Sequence, residues 1–590
     1  RSMRPASLAS RQNWRPSTTQ AIRVGKTLHV LDLKSHAGQM ALERLIADAD
    51  LVVVGFPLDV ANRLKIDSIS VHDINPTVVH LSMPGFAEEA DDASPAAAWE
   101  AAILAASGIF RDMGLNRQLL GCVASYSPLP LASAYASVVA ALAAVTALLA
   151  RARGVGSAVG TTIVVPLASA LLEMLVHNSL SLGPDGLPDV YMSRRQRALA
   201  ARATQSDNQP AEPLDYYDVL ELTDPFYTHY ACADARPFYL VAPGHRAHQM
   251  RAIEVLGIQE AVKHLGVPLA QTYADTATRA ARHGLGGGQV GDEWAPRMRR
   301  LMRAAFLTRT AEEWECRFGA AQVPGAAHRT AVEWLTSEHA RDAGLVVADE
   351  AGSMRPGAMV WVEVHPAPPR EMNEGGGGDE AAAAMATRRP SSDKSAEDGS
   401  WLGGIQIIDM ANVIAGPTIG SLLARFGASV IKVDAPSPSY SPETTILYGL
   451  AANMGKKSVL LDARTAEGRQ ALTALVATSD VVVINATAES ATRLGLTPED
   501  VYRLMATRDE ATDDDAILTR FDAYGGPRGE GARAEHIGYD DNLQAAMGIM
   551  ERFGGGLGRV EEHAHVGTID VVAGAAGALS TVAALLLRET

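Results

Sequence analysis

Cysteine is nearly absent: 590 residues carry three, Cys122, Cys232 and Cys316. Three scattered thiols cannot build a disulfide framework or a Cys-rich zinc site, so a reducing, cytoplasmic setting is expected. Positive charge is in deficit as well. The 52 Lys and Arg against 68 Asp and Glu leave a net charge of −16, which opposes binding by counterion release and argues against a nucleic-acid partner. Long uncharged runs are scarce, and the longest, Gln118 to Ala150, is cut by Pro128 and Pro130. Its helical part is mostly Ala and Val, so a buried helix explains it and no membrane span is expected. The first 31 residues lack acids. They hold Arg1, Arg4, Arg11, Arg15, Arg23 and Lys26 before Asp32, a bias shared with organelle transit peptides, although the chain opens on Arg rather than Met and a clipped start is the competing reading.

What the chain does have is apolar material, 47% of its residues, enough for several buried cores and too much for a disordered class. One composition break divides it. Residues 366–400 are rich in Pro, Gly, Ala and charge without apolar periodicity, which predicts a solvated linker. The Gly375–Gly378 run inside it has no preceding strand or following apolar helix, so it is not a phosphate loop. Four regions follow: an N-terminal segment 1–24, a first part 25–365, the linker, and a second part 401–590.

The two parts repeat each other. GKTLHVLDLKSHAGQMALERLIADADLVVVGF at Gly25–Phe56 matches GKKSVLLDARTAEGRQALTALVATSDVVVINA at Gly455–Ala486. Each predicts a β-rich run ending in Leu-Asp, an amphipathic helix and a valine-rich strand. ASGIF at Ala106 matches AMGIM at Ala546, and ALLAR at Ala147 matches ALLLR at Ala584. The second part opens with an extra strand, an Ala-Gly-Pro turn, a helix and a strand, GGIQIIDMANVIAGPTIGSLLARFGASVIKVD. The first part runs on well beyond its ALLAR helix. This pattern predicts a tandem duplication in which copy one lacks the head and copy two the tail.

In order, NVIAGPTIGSLLARFGASVIKVD, NMGKKSVLLD, SDVVVIN with TRLGL, YGGPRG, GYDDNLQAAMGIM and GTIDVVAGAAGALSTVAALLLR resemble the class III CoA-transferases, the family of formyl-CoA transferase, carnitine CoA-transferase and α-methylacyl-CoA racemase. Copy one resembles them from Gly25 onward, including FYTHYACADARPFYL. The resemblance implies an α/β fold, a Rossmann-like large domain plus a small domain, with two units interlocked as a homodimer or, here, an intramolecular pseudo-dimer. CoA or acyl-CoA would be the co-substrate, a small carboxylate the partner, and no metal would be needed.

Moving CoA between acids needs a carboxylate that forms an anhydride and then a thioester. The resemblance places it at Asp570, which the sequence would set at a helix start, where an N-cap stands. Upstream, Tyr539-Asp540 occupies the place where racemases carry a His for two-base proton transfer, so the pair favours transferase chemistry. His536 is the residue that could restore a base. By the same resemblance Val413, Ile414, Ala415, Gly416, Pro417, Leu461, Arg464, Asn485 and Arg493 line the CoA cleft. Lys456 and Lys457 read as solvated surface charge, and an Arg that stacks on adenine in some relatives falls at Ala435.

Aligned through ALLAR, copy one puts Ser133 at the place of Asp570 and Glu100 at that of Asp540, with Lys34 and Arg63 at those of Arg464 and Arg493. A serine cannot make the anhydride, so copy one is expected to be non-catalytic. No glycine run lies between Gly183 and Tyr227, and Gly286–Gly288 comes too late to be the family's active-site loop. EEHAH at Glu561–His565 lacks the spacing and third ligand of a metal site; His563 and His565 are expected near Asp570.

A tandem protein with this second copy resembles the dimethylsulfoniopropionate CoA-transferase/lyase branch of the family. That implies CoA moved from acetyl-CoA onto the zwitterion, followed by loss of dimethyl sulfide. A carnitine or betaine transferase, an acyl-CoA racemase and a non-catalytic CoA-binding fragment are the alternatives. A cationic head calls for aromatic or acidic partners, with Trp99, Trp361 and Trp401 as candidates.

Overall fold

Valine-rich runs without a polar face, such as Val481–Ile484, suit parallel strands buried between helices. The computed structural model, which describes residues 25–87, 99–111, 114–124, 126–127, 129–155, 160–179, 191–204, 212–271, 273, 282–348, 352, 354–364, 400–441, 448–505, 516–562 and 567–590, places them in such sheets. Strands β1 (Leu51–Val54), β2 (Val79–Ser82) and β3 (Thr161–Val164) form a parallel sheet in that order. A smaller unit carries the antiparallel strands β4 (Tyr227–Ala231), β5 (Pro237–Val241) and β6 (Gly325–Ala327) over a core of Phe226, Phe238, Phe306, Trp314 and Phe318. A hairpin of β7 (Val346–Ala348) and β8 (Met354–Pro356) follows.

The second part holds five parallel strands: β9 (Gln406–Asp409), β10 (Ser429–Asp434), β11 (Lys457–Leu460), β12 (Val481–Ile484) and β13 (Ile517–Arg520). Their order is β11-β10-β9-β12-β13. Counted from β9 this is 3-2-1-4-5, the doubly wound arrangement, whose crevice opens at the carboxyl ends of β9 and β12.

Six helices matter for the site: α1 (His36–Ala47), α2 (Leu131–Ala152), α3 (Ala415–Arg425), α4 (Ala466–Ala477), α5 (Asp540–Ala546) and α6 (Thr568–Glu589). Two pairs of helices that the repeat aligns match in length. Helices α1 and α4 both run 12 residues and open on a hydroxyl cap, Ser35 Oγ accepting the Gly38 N–H at 3.1 Å and Thr465 Oγ1 that of Gly468 at 3.0 Å. Helices α2 and α6 both run 22 residues.

The β-rich run predicted at the start of copy one does not form a strand. Residues 26–32 are irregular and mostly exposed, Val30 completely so. The cause lies in the neighbours: the equivalent strand β11 pairs with β10 alone, and among the described residues copy one has no counterpart of β10. A strand without a partner leaves its N–H and C=O groups to water and has no reason to persist.

Helices α2 and α6 lie against each other in one core. Leu131, Tyr135, Leu142 and Leu149 of α2 meet Val571, Ala575, Ala578, Val582 and Leu585 of α6, together with Ile407, Ile419 and Leu423. Both helices are long and apolar enough to cross a bilayer; the sequence had singled out only the first. Alanines along α2 and alanines with Gly574 and Gly577 along α6 allow close approach, and each helix supplies apolar surface that the other covers. The linker expected over 366–400 lies outside the described residues apart from Ser400, as does the N-terminal segment 1–24.

Candidate functional site

The chain leaves β9 through Met410–Ile414 and enters α3 at Ala415. Val413 adopts φ +71°, a left-handed conformation uncommon for a β-branched residue and held here by its surroundings. Asn485, just past β12, clamps the turn: its Oδ1 accepts the Asn412 N–H and its Nδ2 donates to the Asn412 carbonyl, both at 3.0 Å. Ala415, Gly416 and Pro417 are the first turn of α3 rather than a separate tight turn. Val413 to Pro417 and Asn485 therefore meet at the switch point between β9 and β12, where α/β sheets bind ligands.

Lys456, expected in solvent, is buried beneath this turn. Its three ammonium donors reach Asp409 Oδ2 and the Pro417 carbonyl at 2.6 Å each and Asn453 Oδ1 at 2.9 Å. With both side chains of the Lys456–Asp409 pair almost fully covered, the lysine is part of the scaffold of the turn, while Lys457 is exposed on β11.

Asp570 is the third residue of α6, not its cap, which is Gly567 at φ +70°. The capping is done from outside: Asp540 Oδ2 accepts the N–H groups of Ile569 at 2.5 Å and of Asp570 at 3.0 Å. Gln544 Nε2 holds the other Asp540 oxygen. Close packing sets α6 against the turn. A Cβ on Gly574 would lie 2.6 Å from the Ala415 carbonyl oxygen, and one on Gly577 2.5 Å from Ile419 Cδ1. Copy one repeats the cap, with Glu100 carboxylate oxygens accepting the Ala132 N–H at 2.8 Å and the Ser133 N–H at 3.0 Å. There Ser133 Oγ also bonds Glu100.

Around Asp570 gather groups that only the fold brings together. Asp541 accepts the phenol of Tyr227 from β4, and Glu562 accepts that of Tyr239 from β5. Arg195 lies 3.4 Å from Glu562. Burial pushes Asp570 well above the ordinary carboxylate range, and the charges of Asp540 and Asp541 push it further. Asp541 is raised by burial first and then by the charges of Asp540 and Glu562. Tyr448 is pushed up to about 12 by burial and then by Asp541 and Asp570. Tyr539, raised mainly by burial, donates to the Tyr440 hydroxyl at 3.2 Å. Tyr440 in turn pairs through its backbone with His245. Tyr227, Tyr239 and Arg195 thus reach Asp541 and Glu562 from the first part of the chain, and such contacts across more than 300 residues carry no local sequence signal.

Arg464 is exposed and forked onto Asp462, its Nε and Nη2 each donating at 2.8 Å, and Arg493 is exposed with its contact to Ser490. Leu461 continues β11 through its N–H to Asp434. His536 stands by Tyr524 and Gly319, near the Glu315–Arg533 pair. Trp99 is 72% exposed, Trp361 is exposed, and Trp401 stacks on Phe426, so none of the three forms the wall by Asp570, whose aromatic groups are tyrosines. Gly286 donates its N–H to Gln249 on the helix that carries His248, a ring neighbour of Tyr539. Glu561 is paired with Arg117 at 2.8 Å; His563 and His565 lie outside the described residues.

Fold and site define an α/β protein of the doubly wound class, with a carboxylate-bearing helix start at its ligand crevice. The chain belongs to CoA-transferase family III, whose profile matches residues 1–374 and 402–590. It is 37% identical to the CoA-transferase/lyase DddD of Marinomonas sp. (strain MWYL1) over 98% of this chain and 69% of that protein. It is 31% identical to the probable fatty acyl-CoA transferase Rv3272 of Mycobacterium tuberculosis over 32% of this chain and 47% of that one. A CAIB/BAIF family protein from Brucella suis is 17% identical, with a TM-score of 0.37 over 57% of this chain and 75% of that structure. Members of this family are enzymes that use CoA thioesters as co-substrates.

Proposed function

We propose that Asp570 is the nucleophile of a transferase that carries CoA from an acyl-CoA, acetyl-CoA by preference, to a small carboxylic acid. The observation that carries this is the half-buried Asp570 carboxylate on the first turn of α6, against the switch-point turn at Ile414–Ala415. One Asp570 oxygen attacks the thioester carbonyl, the C–S bond breaks, and CoA thiolate leaves a mixed anhydride. The thiolate then attacks the Asp570 carbonyl, giving an aspartyl thioester and the free donor acid. The acceptor carboxylate repeats the two steps in reverse and restores Asp570. Nucleophilic catalysis thereby divides one hard exchange into easier ones.

On this reading the two copies interlock. Copy two (401–590) supplies the turn and the nucleophile, and the smaller unit of copy one (25–365) closes over them, while Ser133 leaves copy one's own helix start without an acyl-accepting carboxylate. Tyr539, where a racemase would have a second base, and the packing of His536 against Tyr524 and Gly319 support transfer over racemisation.

For the acceptor we propose dimethylsulfoniopropionate. Asp541, Glu562 and the phenol rings of Tyr227, Tyr239 and Tyr448 give the surroundings of Asp570 carboxyl oxygens and aromatic faces, groups that suit a sulfonium. Once the acid is a thioester its α-proton is acidified; removing it expels neutral dimethyl sulfide from the β-carbon, and addition of water gives 3-hydroxypropionyl-CoA. The relative at 37% identity bears both activities in its name. The test is intact-protein mass spectrometry after acetyl-CoA, with and without hydroxylamine, beside Asp570→Ala, then headspace detection of dimethyl sulfide. An adduct of CoA mass that Asp570→Ala abolishes supports the reading; an adduct that persists in the variant overturns it.

A further inference from the structure

The first peptide of α6 is held at both ends. Its carbonyl, that of Thr568, accepts the Tyr135 hydroxyl at 2.9 Å. Its N–H, that of Ile569, is donated to Asp540 Oδ2 at 2.5 Å. Tyr135 belongs to α2, the helix of the copy without a nucleophile, and is 1% exposed. A hydrogen bond accepted by a peptide carbonyl polarises the whole amide and makes its N–H a better donor, so the two bonds strengthen each other in a dry interior. The same Asp540 oxygen takes the Asp570 N–H. A single chain of contacts thus runs from α2 through one peptide and one carboxylate to the backbone of Asp570.

The contact works in one direction. Counted from Ser133 and Asp570, Tyr135 corresponds to Val572 and Thr568 to Leu131. Valine has no hydroxyl to return the bond, so the nucleophile's helix is anchored by its twin but does not anchor it. Fully burying a phenol costs free energy unless its O–H finds an acceptor, and the acceptor here is a carbonyl two residues before Asp570.

We propose that Tyr135 is a positioning residue for Asp570, and that the nucleophile-free copy contributes to the chemistry by fixing the orientation of the first turn of α6. This rests on Asp570 being the nucleophile. Positioning of an attacking group governs the chemical step more than ground-state binding, so the effect belongs in kcat.

Tyr135→Phe keeps the ring and removes only the hydroxyl. Thr146→Val is the control: Thr146 is buried on the same helix, and its hydroxyl bonds the Leu142 carbonyl of that helix at 2.7 Å. In the full chain, Tyr135→Phe is expected to slow both turnover and CoA-adduct formation about tenfold, equivalent to roughly 1.4 kcal/mol, with KM for acetyl-CoA within about twofold of the parent. Thr146→Val is expected to lower Tm comparably and leave the adduct rate unchanged. Parent-like adduct formation in Tyr135→Phe overturns the inference, as does equal slowing in Thr146→Val. An adduct that survives in Asp570→Ala removes the reading beneath it and is distinguishable from both.

Discussion

Asp540 accepts the backbone N–H of Asp570 at 3.0 Å, so one carboxylate caps the helix turn on which the other stands. The pairing is both a clamp and a source of field. Asp540→Ala removes the acceptor for two first-turn N–H groups and is expected to cost about 1–2 kcal/mol of stability, in the range of lost N-caps. Asp540→Asn retains an oxygen acceptor and loses the charge. Without that charge Asp570 ionises more readily, so the acid limb of the pH–rate profile should move to lower pH in Asp540→Asn, and a profile of CoA-adduct formation between pH 4 and 8 checks it.

Asp570 also sets a stability profile. Its carboxyl is raised above the ordinary value of 3.8 by burial and by Asp540 and Asp541, so the folded state binds the proton more tightly than the unfolded state. The contribution is favourable below the unfolded value and is lost as pH rises through the folded one. At neutral pH the charged group is a net cost. Asp570→Asn should therefore raise stability at pH 7, the gain vanishing near pH 4 in thermal melts run across that range.

Gly574 marks where α6 and α3 touch. A methyl there meets the Ala415 carbonyl oxygen and Thr418 Cβ, both at 2.6 Å, and a backbone oxygen at the start of α3 cannot swing aside. Gly574→Ala is expected to cost about 1–3 kcal/mol, as overpacking does. It also moves the turn at Val413–Pro417, so KM for acyl-CoA should rise more than kcat falls, read from initial rates.

Beneath the same turn, Lys456→Met leaves Asp409 buried without its cation. Breaking one side of a buried pair typically costs about 3–5 kcal/mol. Urea denaturation should show it, and the double variant Lys456→Met, Asp409→Leu should recover part of the loss.

The sequence carried the local elements well and the assembled site unevenly. Alignment through the ALLAR helices paired Ser133 with Asp570 and Glu100 with Asp540, and the structure gives both pairs the same cap contact. The turn at Val413–Pro417, which follows β9, and Asn485, which follows β12, meet because the sheet sets those two strands side by side. The reading failed where a partner was needed. GKTLHVLD has strand composition but no neighbouring strand among the described residues, and Lys456 resembles any lysine until Asp409 and Pro417 close over it. Tyr227, Tyr239 and Arg195 were missed because nothing near them in the chain refers to Asp541 or Glu562.

The bond between Tyr135 and Thr568 joins residues 433 positions apart. Closing so long a loop defers its contacts to late in folding, since non-local pairs form only after the entropy of closure has been met. Until then the apolar face of α2 that meets α6 waits, synthesised early and covered late. The helix that bears Asp570 is thus the capstone of the fold: the chain must pass through a collapsed, sticky stage before it owns an acyl acceptor, and its yield in a cell should depend on the chaperones that shelter that stage.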